Sequence, residues 1–266
     1  MVVRTFVPRK KSALVWPVLV LLIGVIGIIS VSISGCTEQN DMVITVSAAS
    51  SMQQVFDGLG PEFEQAEPGV RVTMNYASSG VLCTQIKQGA PVDVYVSALE
   101  DYMDGLQEQG LITNGSRRVF AANSLVIIVP KGGETDATLE NLDTFDRIAI
   151  GDPSHVPAGK FAKESLENSG TWEDVKGNLV YGSNVKQVLN YVARDEVDAG
   201  FVYLTDITGQ VRVSQNIPDS FHSPIVYTIA VTASSENPEI AGRFVEMVAS
   251  DEYFLEQYGF IPAIEV

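Results

Sequence analysis

The sequence predicts an α/β protein made of two units, each a mostly parallel sheet flanked by helices, with two segments crossing between them. Three observations predict this. Short apolar runs of strand length alternate with stretches whose apolar residues recur at helical spacing. The alternation occurs as two separate series. The chain has 266 residues, 45% of them hydrophobic, enough to fill the cores of two modest domains.

The first series opens with MVITVS, Met42 to Ser47, a strand by composition. Ser50 and Ser51 precede Met52, Val55, Phe56, Leu59 and Phe63, the spacing of an amphipathic helix. VRVTMNY, Val70 to Tyr76, is the second strand, followed by Ser78-Ser79-Gly80 and a short helix through Lys87. VDVYVS, Val92 to Ser97, is the third, with a helix near Tyr102, Met103 and Leu106. SLVIIVP, Ser124 to Pro130, is a strongly apolar strand. The second series runs RIAIG, a helix at Pro157, NLVYG, a helix carrying Val185, Val188, Leu189 and Val192, then AGFVYL. IVYTIAVT, Ile225 to Thr232, follows, and two helices end the chain, around Ile240 to Val248 and Glu252 to Tyr258. The segments near Val119 to Val129 and Ile225 to Val231 read as the crossings. The expected division is residues 41–120 with 229–266 in lobe I, and 121–228 in lobe II.

The first 36 residues differ in kind. A basic start, Arg4, Arg9, Lys10 and Lys11, leads into an apolar run from Ala13 to Ile33, then Ile33-Ser34-Gly35-Cys36. This ending is similar to the lipobox of lipoprotein signal peptides, which implies cleavage before Cys36 and a lipid on its thiol. An uncleaved membrane anchor is the alternative, since the run approaches the ~20 residues that span a bilayer. Either places the remainder outside the cytoplasmic membrane, anchored to it. That remainder keeps 13 basic against 33 acidic residues, a formal charge of −20. Nucleic acid as a partner is excluded by that balance. Cys83 lies in VLCTQI, a helical pattern, and reads as a small buried apolar residue.

Four strand-to-helix junctions share a character. They fall at Ser50, at Ser79, at Ala158 after Pro157, and at Val185 after Ser183-Asn184. Each presents backbone N–H groups that lack helix partners, a favourable place for an anion. Proline in the first turn leaves the following N–H groups free. Any one junction alone is ordinary capping; four together, in a two-unit fold, point to a ligand.

ITVSAAS, NYASSGVL, GAPVDVYVSA, ANSLVIIVP, GDPSHVPAG, FVYLTD and YGFIPA, in this order, resemble the periplasmic molybdate- and tungstate-binding proteins of ABC importers. The resemblance covers nearly all of residues 42 to 262. It implies the two-lobed type II periplasmic-binding-protein fold, closing on a tetrahedral oxyanion held by neutral groups. Matched motif by motif, it implies contacts from the Ser50 and Ser79 hydroxyls, the backbone N–H groups of Ala158 and Val185, and the Tyr203 hydroxyl. It also implies a permease and its ATPase as partners, no cofactor, no direct protein–metal ligand, and a monomer. Ser47, Ser183-Asn184 and LCTQI depart from the commoner family pattern.

A serine-dependent hydrolase would need a base, and only His155 and His222 could serve; the G-x-S-x-G elbow is absent. Two histidines and Cys83 show no metal-ligand spacing. Asp93 and Asp152 read as turn and cap residues. Binding of sulfate, or of another small anion, stays open. An organic acid would call for an arginine clamp, and no arginine falls in the four junctions.

Overall fold

The computed structural model describes residues 42–263, which lie in one compact unit. The expected signal peptide and the expected lipid site at Cys36 fall outside the described residues.

Two sheets organise the chain. The first contains β1 (Met42–Ala49), β2 (Val70–Ala77), β3 (Val94–Ser97), β4 (Arg118–Ala122), β10 (Val226–Val231) and β11 (Ile261–Pro262), in the order β11-β4-β10-β3-β1-β2. The second contains β5 (Leu125–Pro130), β6 (Ile148–Gly151), β7 (Leu179–Gly182), β8 (Ala199–Tyr203) and β9 (Val211–Asn216), in the order β7-β6-β8-β5-β9. Helices α1 (Gln53–Ala66), α2 (Ser79–Lys87), α3 (Glu100–Gln107), α7 (Pro238–Ser250) and α8 (Glu252–Gln257) belong with the first sheet. Helices α4 (Pro157–Asn168), α5 (Trp172–Val175) and α6 (Val185–Ala193) cover the second.

Both sheets are mixed rather than mostly parallel. The parallel part is β2-β1-β3 in one and β7-β6-β8 in the other. The strands at the crossings, β4 with β10 and β5 with β9, pair antiparallel. The reason is connectivity: a strand that arrives from the other sheet has no βα crossover to turn it parallel. Both changes of sheet also fall a few residues from 120/121 and 228/229. β4 runs to Ala122 before β5 starts at Leu125, and β10 already starts at Val226.

The helix spacings are those the apolar pattern predicts. Val55, Phe56, Leu59 and Phe63 of α1 are buried, as are Val185, Val188, Leu189 and Val192 of α6. One large core joins the two sheets with α1, α4, α6 and α7. A second, smaller core lies under α2 and α3 and includes Leu82, Cys83, Ile86, Tyr95, Met103 and Leu106. Cys83 is a buried free thiol, and burial raises its pKa. Strand β9 was not expected: it is an edge strand, half-buried along most of its length, so its apolar signal is weak. Among the described residues no helix is long and apolar enough to cross a membrane.

Candidate anion site between the two sheets

The carboxyl ends of six strands meet at one place. From the first sheet come the 3-10 turn Ser50–Met52 after β1, Ser78 and Ser79 at the start of α2 after β2, and Ala98 after β3. From the second come Val156, Pro157 and Ala158 at the start of α4 after β6, Val185 at the start of α6 after β7, and Tyr203 at the end of β8. Ligands of open α/β sheets collect at such ends. All five residues singled out from the sequence line the same cavity, of ≈ 200 Å³ of free space. The space is far too small for a drug-sized molecule and suits a small ion.

No charged side chain lines the cavity. What lines it is donors. Helices α2 and α4 start without a side-chain cap; Gly80, Gly159 and Lys160 N–H bond to backbone carbonyls, so the N–H groups open to a ligand are those at the very start, Ser79 and Ala158. In α6 Asn184 Oδ1 accepts the Gln187 N–H at 2.9 Å. The N–H groups of the residues before Gln187, Val185 among them, are left without that cap. Pro157 stands at the head of α4 and pre-sets its backbone angle. Gly159 lets that turn press onto the end of β6: a Cβ there would lie 1.9 Å from Gly151 O.

Of the four buried hydroxyls without a hydrogen-bond partner among the described residues, two belong to cavity residues, Ser78 Oγ and Tyr203 Oη; the others are Thr208 Oγ1 and Thr228 Oγ1. Leaving a buried hydroxyl unpaired costs about 1–3 kcal/mol. Burial holds the Tyr203 phenol well above its ordinary pKa range, so it stays a donor at neutral pH. Ser79 Oγ accepts the Ala98 N–H at 3.1 Å, which frees its own proton. Ser51 Oγ accepts the Tyr227 phenol proton at 3.0 Å, with the same effect. Ser51 and Ser78 were not among the residues read from the sequence. Their signal was present in SAASS and ASS, where two adjacent serines compete and spacing cannot choose between them.

The two halves touch across the cavity mouth. Gly80 N–H donates to His155 O at 3.0 Å, and Tyr102 Oη to Ser154 O at 3.3 Å. Lys160 pairs with Asp101, so it points across the mouth and not freely to solvent. A Cβ on Gly80 would stand 2.7 Å from His155 O, so only glycine allows this approach. The residues weighed for chemistry have structural partners. Asp152 Oδ1 accepts from Ser154 N and Oγ at 2.9 and 2.6 Å, and these bonds hold its carboxyl below the usual range. Asp93 takes the Thr45 N–H at 2.8 Å and the Ser235 hydroxyl at 2.6 Å. Among the described residues no three His, Cys, Asp or Glu side chains gather as a metal-ligand set. One ion pair does stand close behind the cavity residues. Lys186, next to Val185, lies 2.8 Å from Asp206 Oδ1, which is fully buried, and Asp206 Oδ2 accepts the Tyr203 N–H at 3.3 Å.

The chain is similar to known proteins over most of its length. Residues 44–261 match the model of a family described as bacterial extracellular solute-binding protein. A Bacillus subtilis (strain 168) protein, YvgL, provisionally named as an ABC transporter substrate-binding lipoprotein, is 37% identical over 85% of this chain and 89% of its own. The molybdate-binding protein ModA of Escherichia coli (strain K12) is 31% identical over 87% of this chain and 94% of its own. The solved periplasmic molybdate-binding protein of Azotobacter vinelandii superposes with a TM-score of 0.75, covering 83% of this chain and 100% of that one. At 24% identity that likeness speaks to the fold, which is the two-lobed type II architecture. These relatives bind solutes and are not enzymes. The chain therefore belongs to the bacterial extracellular solute-binding proteins, the substrate-capturing components of ABC transporters.

Proposed function

We propose that this protein captures molybdate or tungstate in the cavity between its two sheets and delivers it to an ABC permease driven by a cytoplasmic ATPase. One observation carries the reading: buried hydroxyls without protein partners, Tyr203 Oη and Ser78 Oγ, face an uncharged cavity where uncapped helix starts converge. A buried dianion needs a full set of donors to replace its water. The set here is Ser50 or Ser51, Ser78 and Ser79, the Ala158 and Val185 N–H groups, and Tyr203. Neutral donors hold the ion without a rigid charge pair, which favours release to the permease. The binding unit acts as a monomer, tethered at the outer face of the membrane through lipid on Cys36.

Thermal unfolding with molybdate, tungstate, sulfate or phosphate tests the reading. Ligand at about 100 times its Kd stabilises by ~2.7 kcal/mol, which for a protein of this size is roughly 5–10 °C. A shift with molybdate and tungstate and none with sulfate is the expected result. A shift with sulfate alone would replace the ligand, and no shift with any of the four would overturn the reading. Mass spectrometry of membrane-bound protein tests the anchor: cleavage before Cys36 with acyl chains on it is expected, and an intact N-terminus would overturn it.

A further inference from the structure

A chain of hydrogen bonds with one possible direction ends at the cavity. Its first link is the Ser124 backbone N–H, which lies 2.9 Å from Asn123 Oδ1. A backbone N–H can only donate, so the Asn123 carbonyl must face it and the amide NH₂ must face the other way. There Nδ2 meets Thr205 Oγ1 at 2.8 Å and Tyr227 Oη at 3.3 Å. Since the phenol oxygen accepts from Asn123, its single proton goes to Ser51 Oγ, 3.0 Å away. Ser51 receives that proton, so its own is turned to the remaining open side, the cavity that it lines. The three side chains are buried, Tyr227 completely, so water does not scramble the direction. Burial also keeps the Tyr227 proton in place.

We propose that Asn123 and Tyr227 are positioning residues that fix Ser51 as a hydrogen-bond donor and thereby make the site reject protonated oxyanions. The proposal rests on the anion-binding reading above. A hydrogen carried by a bound anion needs an acceptor. With Ser51 held as a donor, two protons face each other and the anion's hydrogen stays unpaired. A fully deprotonated oxyanion meets only donors.

The test compares selenate with hydrogen arsenate, tetrahedral dianions of similar size that at mildly alkaline pH differ by one bound proton. Affinities are measured by calorimetry on the full chain in detergent. Asn123→Asp reverses the chain: the Ser124 N–H still occupies one carboxylate oxygen, and the other now accepts the Tyr227 proton. Tyr227 then accepts from Ser51, which presents a lone pair to the cavity. The added charge weakens both dianions alike, so the ratio of affinities isolates the direction. We expect the selenate to hydrogen arsenate ratio to fall by roughly tenfold or more. Adding Tyr227→Phe to Asn123→Asp breaks the relay and restores the ratio to that of Tyr227→Phe alone. The same fall with and without Tyr227 would assign the effect to the charge and overturn the proposal, as would an unchanged ratio with selenate still bound. If Asn123→Asp does not fold, Tyr227→Phe alone decides: a lower ratio supports the relay, and equal weakening of both anions overturns it. A wild-type chain that binds neither these anions nor molybdate overturns the functional reading itself, and the relay with it.

Discussion

The two ends of the first sheet contrast. At the carboxyl ends of β1, β2 and β3 lies a small cavity with no charged lining, its donors supplied by backbone and hydroxyl groups. At the opposite end, where β1 and β2 begin, a depression with ≈ 910 Å³ of free space opens among Met42, Glu67, Val70, Glu236, Glu239 and Arg243. The second is larger and richer in charge, and Arg243 there is already satisfied by Glu67 at 2.6 Å. The difference teaches that size and charge do not mark the ligand site here. What marks it is the convergence of two unpartnered hydroxyls, Ser78 Oγ and Tyr203 Oη, with helix starts on an uncharged cavity.

Four substitutions break or sharpen that contrast. The largest effect is expected from Lys186→Met, which leaves the buried Asp206 carboxylate unpaired beside Tyr203. Breaking a buried pair costs about 3–5 kcal/mol, and the exposed negative field also expels an anion. The loss depends on pH in a fixed direction. Burial, opposed by Lys186, already raises the Asp206 pKa above the ordinary aspartate range, so the folded state holds this proton more tightly than the unfolded one. Without Lys186 the rise is greater. Stability is then retained below the unfolded pKa and lost as pH climbs through the folded one, which denaturant titrations at acid and neutral pH would reveal.

Tyr203→Phe removes one donor without disturbing packing. Hydrogen bonds to charged groups contribute about 1.5–3 kcal/mol, so molybdate affinity should drop by one to two orders of magnitude in calorimetry. Stability without ligand should hold or rise, since an unpaired buried hydroxyl is gone. A loss of stability with no loss of affinity would remove Tyr203 from the site. Gly159→Ala forces the first turn of α4 off Gly151. An overpacking cost of about 1–3 kcal/mol in unfolding free energy is expected, together with weaker binding as the Ala158 N–H is re-aimed. The smallest effect belongs to the other end of the sheet: Arg243→Ala should leave anion affinity unchanged, and a large change would mean that the outer depression takes part in binding.

Much of this was legible in the chain. The parallel strands β1, β2, β3, β6, β7 and β8 and the helices that follow them were written in local apolar periodicity. Four residues of the cavity wall, Ser50, Ser79, Ala158 and Val185, could be read because they occupy junctions between such elements, and Tyr203 came from the family resemblance alone. The pairing of the crossing strands and the edge strand β9 was not legible, because strand direction after a crossing depends on which sheet receives it. Lys186 follows Val185 directly in the sequence; its neutralisation by Asp206 joins two strand ends that only the second sheet brings together.

By itself, then, the sequence determined the α/β class, the two βα series and the helix starts that offer N–H groups. These follow from interactions within a few residues, which spacing and turn chemistry express directly. Tertiary structure alone decided which hydroxyls lack partners and which way they point. Ser51 is held by Tyr227, 176 positions away, and Tyr227 by Asn123, 104 positions away. A hydroxyl carries the same letter whether it donates or accepts. Its direction is set by the donor across the fold that reaches its oxygen first.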